Sequence, residues 1–408
     1  MKIALMHYSS PPIVGGVESV LAHHARLMSG AGHTVAIFAG RGKTFDPGIP
    51  VHILPLLDSR HPDVLKVKAD LDRGVCPPAF NWLCERILQE IYGALDGFDV
   101  LIAHNIASLH KNLALTAALH TAYTRPGFPR LVLWHHDLAW TTPRYRREMY
   151  DGYPWDLLRA DWQGAVHVVI SEQRRHELQS LINTPADSIR VVPNGVDLKA
   201  FYKLEPQTIS IMEQLKLLEG DPLMLLPVRL TPRKNIELAL HVLVELRKIF
   251  PHAMLLVTGP EGPHNPANAA YKQKLLQLRD SLNLLGAVHF MAEISPEFLS
   301  DAVIADFFRL SDGLLFPSLE EGFGIPIIEA AFSNIPVFCT DIAVLRELGG
   351  EDVTYFKSKA DPANIAGQIG ARLQQEATLR WARRAKRVYT WDSIYTHQIE
   401  SLIQEVTA

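Results

Sequence analysis

The sequence predicts an α/β fold of two domains, each built from buried strands that alternate with amphipathic helices. Three observations carry this. At 408 residues the chain is long for one core and suits two domains of roughly 200 residues each. The strand-then-helix pattern restarts after Pro193-Asn194-Gly195, a strong turn signal. Near the end, the apolar run Gly313-Leu314-Leu315-Phe316 stops at Pro317-Ser318; a loop with Glu320, Glu321, Gly322, Phe323 and Gly324 follows, and a helical pattern takes over from Pro326. A strand, a glycine-rich turn and a helix in that order leave the first N–H groups of the helix facing the loop.

Composition excludes several classes. With 48% apolar and 21% charged residues the chain is of ordinary globular type. The net charge of -4 argues against a nucleic-acid binder driven by bulk electrostatics. Cys76, Cys84 and Cys339 lack metal-ligand spacing and are odd in number, so no disulfide framework and a reducing cytoplasm are expected. Met1 to His7 is too short an apolar start for a secretion signal, and no run reaches the length of a membrane span. Peripheral contact with a membrane surface and the oligomeric state are left open by composition.

Lys2 to His7 reads as a buried strand, Val17 to Ser29 as a helix and Gly32 to Phe38 as a second strand. Gly15-Gly16, just before that helix, permits close approach of a ligand to the backbone, or simply a turn. The Gly-x-Gly-x-x-Gly spacing of a dinucleotide-binding turn is missing, which weakens a nicotinamide oxidoreductase reading. His52 to Leu57 reads as a strand, and Asn81 to Leu95 as a helix with Trp82, Ile87, Leu88 and Ile91 inward. Asp99 to His104 is a strand ending in His104-Asn105, Leu109 to Tyr123 a helix, and Leu131 to Trp134 a strand ending at His135-His136-Asp137. Carboxyl ends of strands line the ligand crevice of an open α/β sheet, so His136 and Asp137 are site candidates, with His135 a competitor. Trp140, Arg144, Arg146 and Arg147 follow; arginines beside aromatics suit an acceptor phosphate or carboxylate, although a solvated face with snorkelling stems is the simpler reading. Gly164 to Glu172 is the next strand and turn, and Ile189 to Val192 a short strand before the hinge.

In the second half Leu223 to Val228 is a strand, Arg229 to Asn235 a basic turn, and Ile236 to Phe250 a helix. A helix N-terminus and cations acting on one charge suit a diphosphate. Met254 to Pro260 is a strand and loop with Gly259, residues 260–268 a mobile loop, and Val288 to Ile294 a strand and turn. Asn334 tolerates a left-handed backbone before Pro336. Glu376 to Lys386 reads as a basic helix with a solvated face. Glu321 and Glu329 frame the glycine-rich turn, and a carboxylate is a bidentate acceptor for vicinal hydroxyls, as in a sugar and a ribose. A tight connection with an acid near a helix start would leave the same trace.

Glu321-Gly322-Phe323-Gly324-Ile325-Pro326-Ile327-Ile328-Glu329 resembles the Glu-x7-Glu signature of the family 4 retaining glycosyltransferases. Three further elements keep the family's order: Gly15-Gly16-Val17-Glu18 resembles its first loop, His136-Asp137 its N-domain histidine, and Arg229 with Lys234 its Arg-x4-Lys pair. The resemblance covers most of the chain. It implies the GT-B fold: α/β, two Rossmann-like domains facing a central cleft, with the C-terminal helix crossing back to the N-terminal domain. The expected limits are 1–193 plus 390–408 for the acceptor side and 196–389 for the nucleotide sugar. It also implies transfer of a hexose, glucose or mannose, from a GDP-, UDP- or ADP-sugar to a hydroxyl acceptor. No metal is expected, because Arg229 and Lys234 supply the positive charge.

By the same resemblance Arg229 and Lys234 take the diphosphate together with Gly15 and Gly16. Glu321, Phe323 and Gly324 take the hexose and Glu329 the ribose. Gly259, Ile294 and Ile325 complete the donor set, although only Gly259 of the family's usual Gly-x-Gly is present. His136 faces the reaction centre and, with Asp137, Trp140 and Arg144, the acceptor. The expected catalytic set is therefore His136, Glu321, Arg229 and Lys234. A sugar phosphorylase, a nucleotide-sugar epimerase or a non-catalytic sugar-binding subunit would share these features.

Overall fold

A computed structural model describes residues 1–260, 267–294 and 299–407; most of the loop expected at 260–268 lies outside the described residues. The chain forms two compact units, one of Met1–Gly195 with Trp391–Ala408 and one of Val196–Thr390.

The first unit holds, among the described residues, a seven-stranded sheet in the order β3-β2-β1-β4-β5-β6-β7. The strands are β1 Lys2–His7, β2 Thr34–Ala39, β3 Val51–Ile53, β4 Val100–His104, β5 Arg130–His135, β6 Val166–Val169 and β7 Ile189–Val191, and every pairing is parallel. Successive side chains enter opposite cores: Ala4, Met6, Leu101 and Ala103 pack on one face, Ile3, Leu5, Val100 and Ile102 on the other. A sheet buried on both faces needs such unbroken apolar strands. The second face is covered by the helix Gly16–Gly30 and by the segment after residue 390, which contributes Trp391, Ile394, Ile399, Leu402 and Ile403.

The second unit repeats the plan with a six-stranded sheet in the order β10-β9-β8-β11-β12-β13. Its strands are β8 Leu223–Leu226, β9 Met254–Val257, β10 Val288–Phe290, β11 Gly313–Phe316, β12 Val337–Thr340 and β13 Thr354–Phe356, again all parallel. In both sheets the chain winds outward on one side and then restarts on the other, so the order reverses between β1 and β4 and between β8 and β11. Ligands of open α/β sheets bind outside the carboxyl ends of the strands at such switch points.

Four local expectations are corrected. The strand expected at 52–57 is confined to Val51–Ile53, because Pro55 opens a helical turn at Pro55–Leu57 and cannot donate to a ladder. In the helix Ala79–Ala94, Trp82 is 54% exposed while Phe80 and Leu83 take the inward positions. The strand at 288 stops at Phe290, and Met291–Ile294 is one helical turn. The helix Ala377–Val388 is not a solvated basic face, since Arg383 is buried and Lys386 and Arg387 turn inward.

Those two cations meet Asp312, buried immediately before β11. Lys386 Nζ lies 2.7 Å from Asp312 Oδ1, and Arg387 Nη2 reaches Oδ2. Oδ2 also accepts the N–H of Leu223 at 2.9 Å, while the Asp312 N–H donates to the Leu223 carbonyl at 2.8 Å. Burial alone would raise the carboxyl's pKa, but Lys386 and Arg387 outweigh it and hold it at about 2. A depressed pKa stabilises the fold above the unfolded value of 3.8, and that contribution is lost as pH falls toward 2. The difference corresponds to about 2 kcal/mol. In urea denaturation, Asp312→Asn is expected to lose about 2–4 kcal/mol at neutral pH by taking the counter-charge from two part-buried cations. It should also lose less further stability than wild type between pH 4 and pH 2. Equal urea midpoints for the two proteins at neutral pH would overturn this account.

Candidate functional site

The second switch point brings together two turns that are far apart in sequence. After β8 the chain runs through Arg229 to the turn Pro232–Lys234, passes Asn235 in the left-handed region (φ 51°), and enters the helix Ile236–Ile249. After β11 it runs through Glu320 and Glu321 to Gly324 (φ 102°), the cap of the helix Ile325–Phe332. Gly324 is required twice over, since a Cβ there would also fall 2.6 Å from Leu345 Cδ2. Pro326 occupies the first turn of that helix, where its missing N–H costs nothing.

The turns are stitched to one another. Leu319 N–H donates to the Arg233 carbonyl at 2.8 Å, and Arg233 Nη1 donates to the Glu320 carbonyl at 3.3 Å. Lys234 is buried, its Nζ bonded to Glu321 Oε1 and 5.6 Å from the centre of the Phe316 ring. Arg233 Nη1 stands 3.9 Å from Glu321 Oε2. The Glu321 carboxylate, only 9% exposed, thus lies between two cations. Arg229 is exposed and makes no ion pair among the described residues. Phe323 and Ile325 are exposed on the turn. Glu329, half-buried inside the helix, has its pKa raised by burial and then by the like charge of Asp301. Gly259 answers to packing: a Cβ there would fall 2.0 Å from the Val228 carbonyl oxygen. Ile294 closes the helical turn after β10, partly buried.

In the first unit, Gly15 caps the helix Gly16–Gly30 in an extended conformation, and the Glu18 carboxylate folds back over it; a Cβ on Gly15 would fall 2.1 Å from Glu18 Oε2. Glu18 accepts from Ser9 Oγ and lies 4.0 Å from His7 Nε2. Across the switch point β4 ends at His104, and Asn105 takes a left-handed conformation (φ 59°). Its Oδ1 accepts the N–H groups of His136 at 2.8 Å and Asp137 at 3.3 Å, which fixes the turn after β5.

The histidine doublet divides. His135 Nε2 pairs with His167 Nδ1 at 3.0 Å, whereas His136 Nε2 pairs with His104 Nδ1 at 3.0 Å. Burial, then the nearby His7, lowers the His136 pKa to about 3, so the ring is neutral at physiological pH. Asp137 faces Arg144 at 3.4 Å and Arg174 at 3.6 Å. Trp140 lies within the core, its ring close to Arg159 (4.0 Å) and Arg146 (4.8 Å), and its indole N–H donates to the Trp155 carbonyl.

Sequence reasoning missed three contributors, Glu18, His104 and Asn105. The signal available for Asn105 was its place directly after a buried strand, where an asparagine supplies both a left-handed residue and a side-chain acceptor. It also missed Asp72, His110 and Glu148, whose ligand atoms all lie within 4.8 Å of one another. Lys68 sits against both acids, 2.5 Å from Asp72 and 3.5 Å from Glu148, and so supplies the charge a cation would bring.

The account of Asn105 is testable by denaturation midpoints. Asn105→Gly keeps the backbone and strands two N–H groups, at about 1–3 kcal/mol each. Asn105→Ala adds about 1–2 kcal/mol for a left-handed alanine. The expected order of stability is wild type, then Gly, then Ala; an alanine variant as stable as wild type would refute it.

Sequence comparison identifies the family. The model of the family described as "Glycosyltransferase Family 4" matches residues 14–200, and that of "Glycosyl transferases group 1" matches residues 207–388. The chain is 25% identical, over the whole of both chains, to an MMP alpha-(1->4)-mannosyltransferase of Mycolicibacterium hassiacum. It is 25% identical to a mannosylglucosylglycerate synthase of Petrotoga mobilis over 85% of this chain and 84% of the relative. A D-inositol 3-phosphate glycosyltransferase of Nocardia farcinica is 24% identical over 84% of this chain and 72% of its own. With the two family models matching residues 14–200 and 207–388 of a chain of two parallel-sheet α/β units, the chain belongs to the family 4 glycosyltransferases and has their GT-B fold.

Proposed function

We propose that this glycosyltransferase moves a hexose, mannose before glucose, from a nucleoside diphosphate sugar to a hydroxyl acceptor with retention at the anomeric carbon. The observation that carries the reading is the pairing of Lys234 with Glu321 where β8 and β11 part. A cation held there by a carboxylate is pre-oriented before any ligand arrives, so little reorganisation remains for the reaction. Arg229, exposed and without an ion pair among the described residues, supplies the second positive charge. The first turn of the helix Ile325–Phe332 adds backbone N–H donors behind Phe323 and Gly324. The name of two of the three relatives above contains a mannosyl group, which favours mannose.

The roles follow from the chemistry. As the bond from the anomeric carbon to the diphosphate oxygen breaks, charge grows on the diphosphate, where Arg229 and Lys234 stabilise it. The acceptor oxygen bonds to the anomeric carbon on the same face, and its proton passes to the departing phosphate oxygen. Glu321 accepts hydroxyls of the hexose and Glu329 those of the ribose, whose N–H neighbours Phe323 and Gly324 face the sugar. Gly15 and Gly16 admit the diphosphate to the backbone of the first loop. His136 faces the hexose, and Asp137 with Arg144 the acceptor. No helix among the described residues is long and apolar enough to cross a membrane, and the three cysteines are free thiols, which suits a reducing compartment.

Thermal unfolding against GDP-, UDP- and ADP-sugars tests the donor assignment, because ligand binding to the native state raises its stability. One nucleotide family should raise the melting temperature of wild type. Arg229→Ala should melt like wild type alone and lose that shift. Lys234→Ala should lower turnover roughly a hundredfold or more, as expected of a lost transition-state charge partner. A full ligand shift in Arg229→Ala, or wild-type turnover in Lys234→Ala, would sink the diphosphate assignment.

A further inference from the structure

His136 touches two neighbours that leave it little freedom. Its backbone N–H is held by Asn105, and its Nε2 lies 3.0 Å from His104 Nδ1. Nothing bonds its Nδ1 among the described residues. His104 is fully buried, stacked on Trp134 with ring centres 5.7 Å apart, and its backbone carbonyl accepts Nδ1–H of His7 at 2.9 Å. Its second ring nitrogen, Nε2, has no hydrogen-bond partner.

A neutral imidazole carries one N–H and one lone pair, so the pair has two arrangements. In one, His104 Nδ1–H donates to His136 Nε2; His104 Nε2 is then a bare lone pair, and His136 carries its proton on Nδ1. In the other, His136 Nε2–H donates to His104; His104 Nε2–H is then a buried donor without an acceptor, and His136 Nδ1 is bare.

The surroundings decide between them. The wall around His104 is formed by Trp134 and by His24, whose ring centre is 5.4 Å from that of His104 and 4.6 Å from that of Trp134. Trp134 Nε1 is a buried donor without a partner, and both nitrogens of His24 are unpartnered, one of which carries a hydrogen. The second arrangement would add another orphaned N–H to a wall that already holds two. The first sets a lone pair against them. Orphaned buried N–H groups are the rarer defect. Burial and the neighbouring histidines keep both His104 and His136 neutral, so a doubly protonated ring does not offer a third arrangement.

We propose that His104 is a positioning residue that fixes His136 as the Nδ1–H tautomer, so that His136 offers the sugar ligand a hydrogen-bond donor and not a base. The tautomer stands on the packing alone; its use rests on the role given to His136 above. An N–H aimed at a hydroxyl oxygen selects a ligand with an acceptor at that position. It takes no proton from the acceptor, in keeping with a proton that leaves on phosphate.

Nitrogen-15 NMR of histidine-labelled protein tests this directly, with the His136 signals identified by their loss in His136→Gln. Wild type should show His136 protonated at Nδ1 and bare at Nε2. His104→Asn keeps a donor at the δ position and should keep that pattern, with kcat/KM within about threefold of wild type. His104→Leu should lose the single tautomer and lower kcat/KM about tenfold or more, the scale of one hydrogen bond. A wild-type His136 protonated at Nε2 overturns the proposal whatever the activities are, and needs no variant of His104 to fold. Protonation at Nδ1 with full activity in His136→Gln would instead overturn the ligand-facing role of His136 while leaving the tautomer assignment standing.

Discussion

Asp312 sets the seam on which the second unit depends. Its carboxylate takes the N–H of Leu223 and its own N–H goes to the carbonyl of the same residue, so β8 and β11 are clamped where they begin. Parallel strands that start in register finish in register, and a slip of one residue would turn every side chain to the opposite face. The clamp therefore determines where the turns after β8 and β11 emerge, and with them whether Lys234 can reach Glu321. The cations that balance Asp312 come from the helix Ala377–Val388, late in the chain, and Arg387 also donates to the Gly220 carbonyl just before β8. A buried carboxylate is tolerable only with such company.

The two units solve the problem of polar groups near strand ends in different ways. The second relies on paired charges: Asp312 with Lys386 and Arg387, Glu321 with Lys234, and Asp306, which accepts from the Glu205 N–H and Thr208 and pairs with Arg309. The first relies more on neutral groups, histidines at 7, 104, 135, 136 and 167 and the amide of Asn105, with Asp137 paired to Arg144 and Arg174 at their edge. On the function proposed above, charge suits the unit assigned to the diphosphate. Neutral donors and acceptors in a low-dielectric setting suit the reading of hydroxyl groups, where geometry counts for more than charge.

The fold was legible because its strands are buried on both faces and therefore read as unbroken apolar runs, from Lys2–His7 to Gly313–Phe316. The turns after β8 and β11 were legible because Pro227 and Pro317 stand directly after such runs, whereas Asn105 and His136 follow β4 and β5 with no glycine or proline to mark them. What stayed hidden depends on contacts between distant residues. The stretch 45–95 holds the helix Pro62–Leu71, whose cap is His61, an unusual capping residue that no simple pattern announces. Trp82 and Leu83 are neighbours, and the helix could have turned either inward; tertiary packing chose the smaller. The basic helix near the end could not disclose its buried partners, because Asp221 and Asp312 lie far away in sequence. His135 and His136 were indistinguishable until their partners on β4 and β6 were in place.

The segment after residue 390 places Trp391, Ile394, Ile399, Leu402 and Ile403 beside Ile3 and Leu5 in one core. The first unit is therefore made of two separate segments, Met1–Gly195 and Trp391–Ala408, with Val196–Thr390 inserted between them. On the ribosome this inverts the usual order of events. At about 5–20 residues per second, the middle unit takes on the order of ten seconds or more to emerge, and it contains everything its own sheet requires. Throughout that interval the face of the first sheet carrying Ile3 and Leu5 has the helix Gly16–Gly30 against it but lacks the part of its cover that comes after residue 390. The first sheet is thus made before the middle unit and sealed after it, and it is during synthesis that this apolar face is open to chaperones and to neighbouring nascent chains.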